Sequence, residues 1–289
     1  MKLYAPSTIK EIKNKYGFRL SKSLGQNFLT DKAIIDKIIE GSGIGSDDMV
    51  VEIGPGLGVI TREAAAIAKK VYAIEIDKNL MPILSETLGD FDNIEIINDD
   101  VLKVDINSLT AGTDSDNIKV LGNLPYYITT PIIMGLLEKH IKARSITVMM
   151  QKEVADRIKA APGTKVYGAI SVAVQFYCTV TEIAQVPRSV FIPQPNVDST
   201  VLRLDIRKEA PVSLIDKDLF FACIKSGFGQ RRKTLANSLG TLEGVDKDLI
   251  VDVLREVDID SGRRAETLKI EEFATIANAI AMKKQQKKL

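Results

Sequence analysis

Two rhythms of apolar residues alternate along this chain. Short runs of branched residues, bounded by glycine, aspartate or asparagine, read as buried strands: 49–53, the VYAIEID stretch around Ile74, 94–98, 118–121, 145–151, 179–186 and 198–206. Between the early runs the period lengthens to that of a helix. Residues 31–40 place Ile34, Ile35, Ile38 and Ile39 on one face, with Thr30 as the expected N-cap. Residues 60–70, 79–88 and 129–140 read the same way, and 152–160 and 169–178 follow as two more helices. Strand–helix alternation of this kind predicts an α/β fold, a doubly wound, Rossmann-like parallel sheet, here of seven strands. Residues 1–20 carry breaks at Pro6 and Gly17 and read as irregular. Beyond Arg207 the strands stop, and amphipathic patterns over 217–226, 232–239, 248–257 and 270–284 predict a small all-helical domain. The expected division is 1–207, a sheet domain with a basic N-terminal segment, and 208–289, a helical domain.

Composition narrows the classes. The 289 residues are 45% hydrophobic and 27% charged, within the ordinary range for a globular protein. The net charge of +1 hides a strong asymmetry. Residues 1–29 hold six Lys/Arg and one acid, and 223–240 hold four Lys/Arg and none, whereas 75–116 hold eleven acids and two lysines. Such runs are either solvated helix faces or basic surfaces for a polyanion around a more acidic middle. Cys178 and Cys223 have neither zinc spacing nor a disulfide framework, so they are expected as reduced core residues of a cytoplasmic protein. No apolar run follows the first lysines, and none approaches the length of a membrane span, so neither signal peptide nor membrane attachment is expected. One histidine, His140, ends a helical pattern. Histidine triads and histidine-rich metal sites are thereby disfavoured, and no metal is expected.

The candidate chemistry sits at the ends of four successive strands. After the first, Gly54, Gly56 and Gly58 lead into a helix, an arrangement that lets backbone approach a ligand at a helix N-terminus. A dinucleotide fingerprint would need its third glycine one place later, where Val59 stands. Glu75 ends the second strand, 21 residues after Gly54, where a carboxylate can accept from ribose hydroxyls. Asp99 and Asp100 end the third. Asp100 is the candidate for a cofactor's adenine amino group, and Asp99 is read as a solvated neighbour. The fourth strand breaks into Asn123, Leu124, Pro125 and Tyr126: an amide, a proline and a ring, poor core but a good polar clamp with a stacking face. A loop with three prolines, 186–199, centres on Phe191 and is either a long hairpin connection or a source of a second ring. The basic run GFGQRRKTLANSL in the helical part is either an exposed helix or a phosphate-contacting surface.

Eight segments, KSLGQNFL, VEIGPGLGVIT, AIEID, GNLPYYITTP, MMQKEVADRI, YGAISVAVQFYC, VPRSVFIPQPNVDS and FGQRRKTLANSL, occur in the order found in the small-subunit (16S) rRNA adenine N6,N6-dimethyltransferases of the KsgA/RsmA family. The chain resembles that family over most of its length. The resemblance implies an S-adenosylmethionine-dependent enzyme of ribosome biogenesis that dimethylates two adjacent adenosines near the 3′ end of small-subunit rRNA. It implies cofactor contacts at Asn27, Leu29, Gly54, Glu75, Asp100 and Asn123, with Gln26, Gly56, Ile76 and Val101 placed beside them. Asn123 to Tyr126 match the family's target-base loop and Phe191 its second aromatic. Lys22, Arg231, Arg232 and Lys233 are the candidate RNA contacts, and a monomer acting on the immature small subunit is expected. Tyr127 stands where many members have Asn, and Asn196 where many have Lys. The nearest rival is the macrolide-resistance family of large-subunit (23S) rRNA adenine methyltransferases, whose loop is usually NIPY rather than NLPY. A non-catalytic ribosome-assembly factor with the same fold is the rival from another class. A NAD-dependent dehydrogenase leaves the NLPY loop without a purpose.

Overall fold

The structure, a computed structural model, describes residues 2–18 and 24–286. The chain forms two compact units. The first takes residues up to Ala155 and Thr179–Ile206, the second Asp156–Cys178 and everything from Arg207.

The first unit opens with a helix, α1 (Pro6–Tyr16), where irregular chain was expected. Pro6 occupies the first turn, where its missing N–H is no loss, and Gly17 ends the helix in the left-handed conformation. Ile9 and Ile12 share the buried face and join Leu80, Ile83 and Leu84 in one cluster. Strand β1 is only Phe28–Leu29. Helix α2 (Lys32–Ser42) is capped by Asp31, not Thr30: the Asp31 carboxylate accepts from the Ala33 and Ile34 N–H groups. Thr30 instead donates both its N–H and its hydroxyl to the Val190 carbonyl, at 2.9 and 2.8 Å.

The αβ repeats then follow: β2 (Met49–Ile53), α3 (Val59–Ala65), β3 (Lys70–Ile74), α4 (Met81–Thr87), β4 (Ile94–Ile97), α5 (Ile106–Leu109), β5 (Ile118–Asn123), α6 (Thr129–Glu138) and β6 (Ser145–Gln151). Helix α3 is shorter than its periodicity suggests because Lys70 already pairs with Met49. Helix α6 ends at Glu138, and His140 lies beyond it at φ 53°. Helices α7 (Lys152–Ile158) and α8 (Ala169–Tyr177) lead to β7 (Cys178–Val186), a second two-residue strand β8 (Phe191–Ile192), and β9 (Ser199–Ile206).

Seven strands form one sheet in the order β4-β3-β2-β5-β6-β9-β7. Strands β4, β3, β2, β5 and β6 run parallel, and β9 is antiparallel to β6. The chain order reverses between β2 and β5, and an open α/β sheet binds its ligands at the carboxyl edge beside such a reversal. β1 and β8 pair separately, with Phe28 opposite Ile192 and Leu29 opposite Phe191.

The second unit is helical: α8 packs with α9 (Lys217–Gly229), α10 (Leu235–Leu239), α11 (Lys247–Glu256) and α12 (Ile270–Gln286). Arg232 and Lys233, expected inside a helix, lie in the turn before Leu235. Phe176 of α8 meets Phe220 and Phe221 of α9 at 5.2 and 5.4 Å, and the Tyr167 hydroxyl donates to the Leu268 carbonyl. The expected cut at 207 falls beside the observed one, but 156–178 goes with the helical unit. Local periodicity identifies an apolar helix without naming the surface that covers it. Cys178 and Cys223 are free and buried, and burial pushes the Cys223 thiol up to about 12, so it behaves as a small apolar core residue.

Candidate active site

The carboxyl ends of β2, β3, β4 and β5 converge on one cleft of about 1020 Å³, part of it open to solvent. Gln26, Asn27, Leu29, Gly54, Gly56, Glu75, Ile76, Asp100, Val101, Asn123 and Pro125 all line it, drawn from five separate segments.

Glu75 is 5% exposed. Its carboxylate accepts from the Gly56 N–H at 3.3 Å and the Asp77 N–H at 2.9 Å. Burial holds it above the usual carboxylate range, and the two N–H groups oppose that shift. Gly56 has φ +61°, and a Cβ there would come 3.2 Å from the Phe28 ring, so the turn needs glycine both for its conformation and for the space β1 occupies. Gln26 Nε2 donates to Asp77 Oδ2 at 2.8 Å, which ties the 24–27 loop to the end of β3. At the next tip, Asp99 accepts from the Asp100 N–H, and Asp100 Oδ1 accepts from the Leu102 N–H at 3.0 Å. Ile76 is 55% exposed, an apolar face offered at a strand end.

Asn123 is the last residue of β5, and its Nδ2 donates to the Asn27 carbonyl at 3.1 Å. Only the NH₂ end of an amide can face a carbonyl, so Oδ1 is the end left to accept from something else. Leu124 is buried and its N–H donates to the Met149 carbonyl, which seats the loop on β6. The Pro125 carbonyl accepts from the Ile128 N–H and the Thr129 hydroxyl, closing the turn into α6. Gly25, at φ +62°, brings the 24–27 loop against this turn: a Cβ on it would lie 3.3 Å from Pro125 Cβ.

Neither of the two rings expected beside the target base lines this cleft. Tyr126 is half-buried and absent from the cleft wall, and its hydroxyl shares a 2.8 Å hydrogen bond with Ser199. Tyr127 lines the cleft instead and is 61% exposed. Phe191 is 3% exposed and packs in the core with Leu29 and Ile34, because pairing of β8 with β1 sets its ring inward. Of the candidate RNA contacts, Lys22 lies outside the described residues. Arg231 is spent within the helical unit, donating to the Lys165 and Tyr167 carbonyls and pairing with Glu266 at 3.5 Å. Arg232 and Lys233 are exposed.

Glu52 was not singled out from sequence, although an acid inside the apolar run VVEI is a visible signal. It lines the cleft at 1% exposure, and burial, with Glu75 adding to it, pushes its carboxyl up to about 7. The Thr61 hydroxyl acts against that rise, yet neither Glu52 Oε2 nor Thr61 Oγ1 makes a hydrogen bond of normal geometry. An unfolded glutamate titrates near 4.5. Between pH 4.5 and 7 the folded chain therefore holds one proton more than the unfolded chain, and stability falls as pH rises through that window, by up to about 3 kcal/mol. Glu52→Gln removes this loss. Thermal melts from pH 5 to 8 are expected to show a shallower decline for the variant and a higher Tm at pH 8; identical slopes would refute the buried carboxylate as the cause.

The family model described as ribosomal RNA adenine dimethylase matches residues 17–282. The chain is 53% identical over 287 residues, 99% of each chain, to a ribosomal RNA small subunit methyltransferase A of Clostridioides difficile, and 49% identical to one of Bacillus mycoides, covering 96% and 97% of the two chains. A crystal structure of a dimethyladenosine transferase from Plasmodium falciparum superposes with a TM-score of 0.74 at 26% identity, covering 90% of this chain and 98% of that one. The 23S rRNA methyltransferase ErmE superposes with a TM-score of 0.66 at 26% identity, covering 88% and 99%. The fold is thus shared with a dimethyladenosine transferase and a 23S rRNA methyltransferase, and by the near full-length match this chain belongs to the ribosomal RNA adenine dimethylase family.

Proposed function

We propose that this protein transfers methyl groups from S-adenosylmethionine to N6 of two adjacent adenosines near the 3′ end of small-subunit rRNA. The observation that carries the reading is the orientation of Asn123. Its amide is held by the Asn27 carbonyl so that Oδ1 is left to accept, on the wall of a cleft whose floor is the buried Glu75.

The cleft suits the cofactor. Glu75 offers a carboxylate to two ribose hydroxyls, Gly54 and Gly56 bring backbone close, Ile76 and Val101 offer apolar faces to a purine, and Asp100 offers an acceptor to its amino group. The cofactor supplies an electrophilic sulfonium methyl.

The chain's own residues supply position. An adenine N6 is a weak nucleophile because its lone pair is delocalised into the ring. Asn123 Oδ1 and the Leu124 carbonyl accept from the amino group and favour a nitrogen whose lone pair is directed at the methyl. Pro125 stiffens the loop, and Tyr126 presents a ring for the extruded base, a contact worth about 1–3 kcal/mol. No group need remove a proton beforehand, since the nitrogen becomes acidic as the methyl is gained, and positioning carries the rate. Arg232 and Lys233 contact RNA phosphates, and the protein acts as a cytoplasmic monomer. Among the described residues no helix is long and apolar enough to cross a membrane.

The test is methyl transfer from labelled S-adenosylmethionine to small ribosomal subunits lacking the modification, with large subunits in parallel and the labelled nucleoside identified. Dimethyladenosine in small-subunit RNA alone is the expected result. Label in the large subunit moves the assignment to the type of activity named for ErmE, and no label in either, with cofactor bound, leaves an assembly role.

A further inference from the structure

The hydroxyls of Tyr126 and Ser199 lie 2.8 Å apart. Ser199 is 1% exposed and is the first residue of β9, in register with Gln151 at the end of β6. The residue before it is held as firmly. The Asp198 carbonyl accepts from the Lys152 N–H at 3.0 Å, and its carboxylate accepts from the Arg188 N–H at 2.9 Å. The Ser199 hydroxyl is therefore a fixed point on the sheet. Tyr126 starts from another, since the preceding loop is seated on β6 through the Leu124 N–H. A tyrosine held at both its backbone and its phenol oxygen keeps one ring position; released at the phenol, the ring is free to swing about the Cα–Cβ bond.

We propose that Ser199 is a positioning residue for methyl transfer, acting through its hydrogen bond to fix the position of the Tyr126 ring against which the target adenine lies. This rests on the functional reading above. The hydroxyl pair has no other assigned use, and the bond survives across neutral pH: burial raises the Tyr126 phenol above its usual value, so it stays protonated. The 186–199 segment thereby contributes to the base site through Ser199 and not through the ring of Phe191, which faces the core.

A double-mutant cycle tests this. Ser199→Ala and Tyr126→Phe each delete the same hydrogen bond from opposite ends. Each is expected to lower kcat/KM on small-subunit RNA about tenfold, the effect of one such bond. The double variant should lose no more than either single one, because residues in direct contact are not additive. Cofactor affinity should match wild type in all three and Tm should fall by no more than the few degrees that one hydrogen bond accounts for, whereas a merely structural serine would leave kcat/KM of the folded enzyme unchanged. Tyr126→Ala, which removes the ring as well, should lose more than any of them. Losses that multiply to about a hundredfold in the double variant, or wild-type kcat/KM in Ser199→Ala, overturn the proposal. If Ser199→Ala melts early, Tyr126→Phe carries the test from the half-buried end, and wild-type kcat/KM there overturns it equally. A wild-type chain that transfers no methyl to small-subunit RNA fails the functional reading and this proposal with it. An active wild type matched by its variants fails this proposal alone.

Discussion

Asn123→Ala is expected to lower turnover on small-subunit RNA by at least about 100-fold, the size of effect seen when a reacting group loses its alignment. Alanine removes the Oδ1 acceptor, the only part of Asn123 left over once Nδ2 has been committed to the Asn27 carbonyl. It also releases Asn27, whose own amide donates to the Gly25 carbonyl, so the 25–27 loop loses one of its ties. That loop keeps the Gln26–Asp77 bond and the contact of Gly25 with Pro125, so cofactor affinity should fall by only about the few-fold that one neutral hydrogen bond accounts for. The separation of the two readouts is the prediction: a large loss in single-turnover rate beside a small one in calorimetric Kd. Asn123→Asp sharpens it. The shape is kept, but a carboxylate oxygen then faces the Asn27 carbonyl, acceptor against acceptor, so this variant should be as poor as alanine. Turnover near wild type in either variant would remove Asn123 from the mechanism.

Glu75→Ala has its large effect on the other side of the ledger. Two hydrogen bonds from ribose hydroxyls to a carboxylate are worth about 3 kcal/mol together, so cofactor Kd should rise by about 100-fold or more. Turnover at saturating cofactor should change far less. Glu75→Gln is not a mild substitute here. One carboxylate oxygen accepts from Gly56 and the other from Asp77, both backbone N–H groups, so the NH₂ of glutamine must oppose one of them. Glutamine should therefore recover only part of the affinity. Titration with S-adenosylhomocysteine reads this directly, and an unchanged Kd would mean the ribose is held elsewhere.

The sheet and its ligand edge were legible because they rest on local signals. Branched runs such as 49–53 and 118–121 are bounded by glycine or a polar tip, and the tips, Gly54 with Gly56, Glu75, Asp100 and Asn123, do meet on one cleft. What escaped was set by partners distant in sequence. Strands β1 and β8 hold two residues each and exist only by pairing with each other, so neither left a pattern, and with them went the inward placement of Phe191. Helix α1 buries little more than Ile9 and Ile12 among lysines, too thin a stripe to outweigh its proline and glycine, although both stand where a helix tolerates them. Tyr126 and Tyr127 are adjacent and chemically alike. Which one meets the cleft and which one meets Ser199 follows from the turn closed at the Pro125 carbonyl, and the alphabet of the loop does not encode it.

The excursion of residues 156–178 into the helical unit has a consequence in time. Synthesis proceeds from the N-terminus, so α8 emerges before β9 and well before α9, α10, α11 and α12. While the chain is still being made, Val172 and Phe176 stand ready with only Ala160 and Tyr167 of their buried cluster ahead of them in the chain. The sheet of the first unit likewise waits for Ser199–Ile206 to arrive at the open edge of β6. The first unit is complete only when Ile206 has emerged, and the second only when α12 has. Until then an unpaired strand edge and, for longer, an apolar helix are the exposed surfaces that a growing chain must keep from other chains.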